Sequence, residues 1–394
     1  MKEVFVSHPC LQHAHQLAWA LHESGLLQTF WSGVPVLSDE ETPPFWLPAS
    51  YAQRLKKVAI PSELRRHPLA FQGLLRTCAL LPSRFSREDY AHRVFHLFDW
   101  WVAKHIPRLK PKVVVAYENS AFHTFRAAKA IGARCLLDAS SLHHVTVERL
   151  MTVKTTPYLK EINRRKDEEV ALADMILTCS PMAADSYLDA GVPTNKVHAI
   201  LLGATMPINI ESWQQHSKPL HFIFAGGLRY LKAIDIILAA FQRLHAEAIP
   251  YQLSFVGGEG EPGWAKKIEQ TPCSRYYPGV PQAELFRMLA QADCLLLPSR
   301  FDSFGMVVAE AMACGTPAIV STQTGAKAMI EEFPNSGWIV ACDKDSLYQC
   351  IKERIQNREA LFAARQYAHE ASQHFTWQAY RERVGKFTAD WILQ

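Results

Sequence analysis

The stretch Leu295–Ser321 reads LLLPSRFDSFGMVVAEAMACGTPAIVS. Its first residues complete an apolar, strand-sized run, Cys294–Leu297, that stops at Pro298. A loop carrying Asp302, Ser303 and Phe304 follows, and Gly305 permits close backbone approach. Apolar spacing from Met306 to Cys314 is helical, and Ala318–Ser321 reads as the next strand. Strand, helix and strand in such quick succession are the repeating unit of a parallel sheet. The helix start at Met306 presents free N–H groups and the positive end of a dipole, which suits an anion. Asp302 lies just before that end and Glu310 lies eight residues on, inside the helix. Carboxylates accept paired hydrogen bonds from vicinal hydroxyls, so two of them around a phosphate site suggest a sugar nucleotide. The plainer alternative is that Asp302 caps the helix and Glu310 is solvated.

Outward from this stretch the same rhythm fills the chain. Strands are expected at Val4–Ser7, Lys112–Ala116, Cys135–Asp138 and Met175–Ser180, with helices at Leu17–Ser24, Phe122–Ile131, Lys166–Ala173 and Ala183–Ala190. Residues 203–219, GATMPINIESWQQHSKP, are polar, hold two prolines and lack a period, which marks an interdomain linker. The rhythm restarts with strands His221–Ala225, Gln252–Val256, Gly337–Val340 and those named above. Helices are expected at Ala233–Ala246, Gln282–Gln291 and Ser346–Asn357. Two doubly wound α/β halves result, with ligands expected at the carboxyl ends of the strands, in a cleft between the halves. A second anion signal lies in His221–Phe241, where a strand feeds Gly226 and Gly227, and Arg229 and Lys232 precede an apolar-faced helix. Glycines let a backbone approach a pyrophosphate and two cations neutralise it; a tight turn with surface cations is the alternative.

The chain has 394 residues, 48% of them hydrophobic, enough for two cores. No apolar run approaches the roughly 18 residues of a membrane span. Met1-Lys2-Glu3 leads straight into a strand pattern rather than a leader, so a cytoplasmic protein is expected. Nine cysteines without a CxxC pair read as buried free thiols. Residues 51–110 hold twelve basic and four acidic side chains interleaved with Leu, Phe and Trp. That surface suits an anionic membrane or acceptor; an ordinary solvated face is the alternative, and no nucleic-acid motif is present.

Four blocks in order, FAGGL, LSFVGGEGEP, YYPGVPQAELFRMLAQADCLLLPS and DSFGMVVAEAMACGTPAIVS, resemble the donor domain of family-4 glycosyltransferases of the GT-B fold. The resemblance is strong over about 200–375 and weaker over Ala173–Ile200; His374–Phe387 is similar to the family's closing helices. It implies an N-terminal acceptor domain (1–205), a donor domain (206–375) and a helix (376–394) crossing back. It also implies a retaining, metal-independent transfer of a hexose from a nucleoside diphosphate sugar to a saccharide or lipid-linked acceptor, in surface polysaccharide or lipopolysaccharide synthesis. Glu310 then binds the ribose, Asp302 the sugar hydroxyls, the amides around Phe304–Val307 (Phe304, Gly305, Met306 and Val307) the phosphates, and Lys232 the diphosphate, beside Gly226, Gly227, Arg229 and Ser303. This sequence departs from the family pattern at Asp302, where Glu is usual, and at Gly227, where Arg is usual. SHPCLQHAH (Ser7–His15) replaces a glycine-rich loop, and Tyr117 stands where a histidine often falls. His13, Glu118, Asp138 and His143 follow candidate strands; His13 and Glu118 are the candidates for acceptor chemistry. A sugar-nucleotide epimerase and a non-catalytic GT-B scaffold are the alternatives.

Other motifs carry less. Gly258–Gly263, GEGEPG, matches G-x-G-x-x-G but contains Pro262 and lacks the later acidic strand end, so no dinucleotide cofactor is expected. Asp343-Lys344-Asp345 resembles a metal-binding D-x-D, yet Asp345 or Ser346 is expected to cap a helix, and no metal is expected.

Overall fold

The computed structural model describes residues 3–38, 40–43, 55–77, 87–151, 156–207 and 219–394. Arg54, Cys78, Arg84 and most of the expected linker, 208–218, lie outside these residues. The chain forms two compact units: Met1–Thr178 with Ser186–Ile200 and Tyr380–Gln394, and Cys179–Asp185 with Leu201–Ala379.

The first unit holds a seven-stranded sheet. Its strands are β1 (Val4–His8), β2 (Leu27–Ser32), β3 (Arg65–Arg66), β4 (Val113–Tyr117), β5 (Arg134–Ala139), β6 (Met175–Thr178) and β7 (Val197–Ala199). They run parallel in the order β3-β2-β1-β4-β5-β6-β7. Phe5, Val114, Leu137 and Ile176 on the strands pack with Phe98, Phe125 and Tyr187 on the helices, all fully buried. The helix Phe122–Ala130 starts without a cap of its own. Two remote buried acids supply it: Glu169 accepts the N–H groups of Ala121 (2.9 Å) and Phe122 (3.1 Å), and Asp99 those of His123 (2.8 Å) and Thr124 (2.9 Å). Each side chain supplies the acceptors that the orphan N–H groups of the helix start lack. Residues Tyr380–Gln394, the greater part of the helix Trp377–Leu393, belong to this unit. Arg134 there donates to the Trp391 carbonyl (2.7 Å) and lies 3.9 Å over its ring.

The second unit holds β8 (Leu220–Ala225), β9 (Tyr251–Val256), β10 (Ser274–Tyr277), β11 (Cys294–Leu297), β12 (Ala318–Ser321) and β13 (Gly337–Val340). These are parallel in the order β10-β9-β8-β11-β12-β13. Strands such as β11 and β12 are buried at every position, as parallel strands covered on both faces must be. In each sheet the winding direction reverses once, between β1 and β4 and between β8 and β11.

Several elements differ from expectation. The first helix is Ala14–Glu23 rather than Leu17–Ser24, because its opening turn buries His15 and Gln16, polar residues that hide the period. The helix expected at Lys166–Ala173 begins at Pro157, where Thr156 caps it by accepting from Leu159 N–H (3.1 Å). Asp343, not Asp345 or Ser346, caps the helix Lys344–Gln356, accepting from both of their N–H groups. Strands β2, β3, β7 and β10 and the helices Leu69–Thr77, Arg87–Ala103 and Arg358–Ser372 were not expected from the sequence, although Leu69–Thr77 and Arg358–Ser372 are amphipathic. Part of the basic excess has partners within the first unit. Arg65 is buried on Val36 O (2.6 Å) and Glu41 (2.7 Å), Arg66 lies over Trp31 (4.7 Å), and Lys104 over Trp100 (3.2 Å). Leu69, Leu97 and Trp100 remain exposed on the same segment. The eight described cysteines are free thiols, five of them buried. Among the described residues no helix is long and apolar enough to cross a membrane.

Candidate functional site

The loops after β8 and β11 leave adjacent strands on either side of the reversal point of the second sheet, where open α/β sheets place ligands. After β8, Gly226 N–H donates to Val256 O (2.9 Å) and Leu228 N–H to Gly258 O (2.9 Å). The next turn, Tyr230–Lys232, ends at Ala233, which adopts a left-handed conformation at φ 58°. After β11, Arg300 N–H donates to Leu231 O (2.9 Å), which ties the two loops together. Arg300 also grips Asp235 with both terminal nitrogens (2.6 and 2.7 Å) and lies 3.8 Å over Tyr230. The hydrogen bonds to Asp235 hold the Arg300 guanidinium above its usual range.

This bracing sets Lys232 Nζ 2.5 Å from Asp302 Oδ2. The other oxygen of Asp302 accepts from Gly305 N–H (2.9 Å) and, more weakly, from Phe304 N–H (3.3 Å). Asp302 therefore holds the turn before the helix Met306–Ala313 and does not cap the helix itself. Gly305 occupies the cap at φ 79°, a conformation that costs glycine nothing. That helix has no side-chain cap and no acid in its first turn, so its positive end faces whatever enters the site.

The loop is fixed from behind. Ser303 O accepts from Ser180 Oγ (2.6 Å), and Gly325 N–H donates to Asp302 O (2.7 Å). A Cβ at Gly325 would sit 2.1 Å from Ser303 O. Glu310 is half-buried in the helix, and its Oε1 accepts from Gln282 Nε2 (3.1 Å). The exposed Arg229 side chain lies along Gly260, where a Cβ would come 2.5 Å from Arg229 Nε, and beside Gly227 at 3.8 Å. The missing side chain at Gly227 thus has a cation next to it.

Of the predicted donor residues, Lys232 and Asp302 meet directly, and Gly226, Gly227, Arg229, Ser303, Phe304, Gly305, Met306 and Val307 lie on the same two loops and helix start. Sequence reasoning missed Arg300, Gln282, Ser180 and Gly325. Gly325 alone had a local signal, an isolated glycine after a strand.

His13 and Glu118 lie in the first unit, each just past the carboxyl end of its strand or in the loop that follows. His13 Nε2 is 2.9 Å from Asp138 Oδ1, with both side chains buried. Glu118 is buried and accepts from Tyr187 OH (2.9 Å) and Lys166 Nζ (3.2 Å). The replaced glycine loop, Ser7–His15, carries His8, whose Nδ1 accepts from Cys10 N–H (2.9 Å). Burial, and then the neighbouring His13, hold His8 well below the usual histidine range.

Residues 206–371, within the second unit, match the family described as Glycosyl transferases group 1. Over 175 residues the chain is 30% identical to the D-inositol 3-phosphate glycosyltransferase of Corynebacterium jeikeium, a match taking in 41% of this chain and 42% of that relative. The chain thus spans less than half the length of this relative. Among solved structures, sucrose-phosphate synthase of Thermosynechococcus elongatus is 17% identical, with a TM-score of 0.63 over 100% of both chains. Anabaena HepE in complex with UDP is 14% identical, with a TM-score of 0.65 over 99% of this chain and 100% of that one. The fold is that of GT-B proteins, two Rossmann-like parallel-sheet units.

Proposed function

We propose that the protein is a glycosyltransferase whose second unit binds a nucleoside diphosphate sugar and whose reaction moves the hexose to a hydroxyl of a saccharide, polyol or lipid-linked acceptor. The observation that carries this reading is the Lys232–Asp302 pair beside the uncapped start of Met306–Ala313, at the reversal point of the second sheet. Lys232 and the amides of Phe304–Val307 take the diphosphate, Glu310 the ribose hydroxyls, and Asp302 the sugar hydroxyls once Lys232 turns to phosphate. Donors aimed at the departing diphosphate supply much of the rate, with retention at the anomeric carbon and no metal in the transfer. His13 and Glu118 serve the acceptor side. A cytoplasmic enzyme, peripheral on an anionic membrane through the 51–110 segment and acting in surface polysaccharide or lipopolysaccharide synthesis, is the setting that fits this chemistry.

One relative acts on an inositol phosphate and one structural neighbour was solved with UDP, so UDP is the first nucleotide to titrate. Calorimetry is expected to find one UDP per chain in the wild type. Binding should be lost in Lys232→Ala and weakened at least tenfold in Glu310→Ala, with unchanged circular dichroism. Equal affinity in all three proteins would refute the donor-site assignment. Binding of none of UDP, GDP, ADP, dTDP and CMP would favour a non-catalytic scaffold.

A further inference from the structure

A separate cluster in the first unit has no place in the reading above and does not depend on it. The loop after β5 ends at His143, whose backbone is pinned by donation to Ser186 Oγ (2.9 Å). Its imidazole is buried edge-on against Tyr187 (5.1 Å) and tilted on His144 (4.5 Å). His144 opens the helix His144–Met151, and Asp167 projects from the helix Pro157–Leu172. His144 Nε2 is 2.6 Å and His143 Nε2 3.7 Å from the same Asp167 oxygen, and one ligand atom from each of the three residues falls within 4.8 Å of the others.

We propose that His143, His144 and Asp167 bind one divalent transition-metal ion of the zinc, cobalt or nickel type. A hydrogen bond to Asp167 needs one imidazole. The second, at 3.7 Å, is too far to share it, yet its buried ring keeps that nitrogen close to the same oxygen. A cation among the three atoms accounts for both. Bonds of about 2.1 Å in a tetrahedral site place neighbouring ligand atoms about 3.4 Å apart. The two separations found here straddle that value, and Asp167, with a side chain 56% exposed, has room to make the adjustment. Two imidazoles and one carboxylate select zinc-like ions over magnesium or calcium, which prefer all-oxygen sites. The exposed side of Asp167 gives the ion a way in and leaves room for water as a further ligand. The ion would clamp the loop after β5 to the helix Pro157–Leu172.

The test is a titration of chelator-treated full-length protein with CoCl2, followed by visible absorption and calorimetry, then displacement by ZnCl2. One Co2+ per chain with visible d–d bands is expected. Asp167→Asn and His144→Gln should each weaken binding at least tenfold while circular dichroism stays unchanged. Absence of d–d bands, or equal Co2+ affinity in wild type and both variants, would overturn the proposal and leave His144 as a hydrogen-bond donor to Asp167.

Discussion

Gly325→Ala tests whether the Asp302 loop is as tightly held as its contacts imply. The new Cβ would stand 2.1 Å from Ser303 O, 2.7 Å from Ser303 C and 2.8 Å from Ser180 Oγ. Ordinary van der Waals contact begins at 3.4 Å, so the backbone at Ser303 must retreat by 1.3 Å, the difference between 3.4 and 2.1. Overpacking of this kind costs about 1–3 kcal/mol. Retreat also breaks the 2.6 Å bond from Ser180 Oγ, a further cost of about 1 kcal/mol. The sum is about 2–4 kcal/mol, which in a unit of this size lowers the melting midpoint by roughly 4–16 °C. The shift falls on the residues that hold Asp302 and the Met306 helix start, and a displacement of about 1 Å at a reacting site costs on the order of a hundredfold. UDP affinity should therefore fall at least tenfold at a temperature where the variant is still folded. Gly258→Ala is the control, since nothing lies within 4 Å of its Cβ; its midpoint should move little. Scanning calorimetry and UDP titration decide. A Gly325→Ala protein that melts within a degree of wild type and binds UDP equally would refute the reasoning.

Other expectations concern the first unit. Burial, then Lys56, push His15 down to about 4, and burial, then Arg65, do the same to His67. A histidine with a lowered folded-state pKa stabilises above its ordinary value of 6.5 and loses that contribution as pH falls towards 4. Each should add up to about 1.4 kcal/mol per pH unit of acid destabilisation, and His15→Gln with His67→Gln should flatten the slope in denaturant titrations at pH 4.5–6.5 (about the window these shifts define). Glu169 works in the other direction: burial pushes it up to about 8 against the pull of its backbone donors, so stability falls as pH rises from 4.5 towards 8. Glu169→Gln should remove that alkaline slope, measured as the difference from wild type. Anionic vesicles should retain the protein at low salt and release it when the Debye length falls to about 3 Å near 1 M; retention that ignores salt, or none at low salt, would sink the membrane reading of the 51–110 segment.

The second sheet was readable, its edge strand β10 apart, because strands such as β11 and β12 are buried at every position and its turns carry glycine at fixed places. Cys294–Leu297, Ala318–Ser321 and Gly337–Val340 fall where the apolar runs put them. The loops that carry Lys232 and Asp302 were placed for the same reason, since each follows a clean strand, Leu220–Ala225 or Cys294–Leu297. The first unit was less legible. Its acids and histidines pack inward: Asp99, which counted among the solvated charges of a basic segment, is fully buried on a helix start, and His15 and Gln16 occupy core positions of the first helix. Hydrophobic periodicity is silent about a buried polar residue whose partner lies many residues away. Edge strands as short as Arg65–Arg66 exist only through pairing with Phe30 and Trp31, which no local pattern records. Arg300 escaped notice because its role is two bonds to Asp235, 65 residues earlier.

The discontinuous make-up of the first unit bears on how the chain is assembled. Residues 380–394 leave the ribosome after every residue of the second unit. They bring the Trp391 carbonyl and ring to Arg134, Arg381 to Glu23 (3.0 Å) and Gln16 (3.0 Å), and Phe387 to stack on His198 at 4.2 Å. Domains commonly fold in order of synthesis, yet here the unit that emerges first is the one completed last. Until then the first helix and the start of β5, at Arg134, lack these partners, and the second unit closes in the meantime. Shortening the chain before residue 380 would therefore strike the oldest part of the nascent protein and leave the younger part whole.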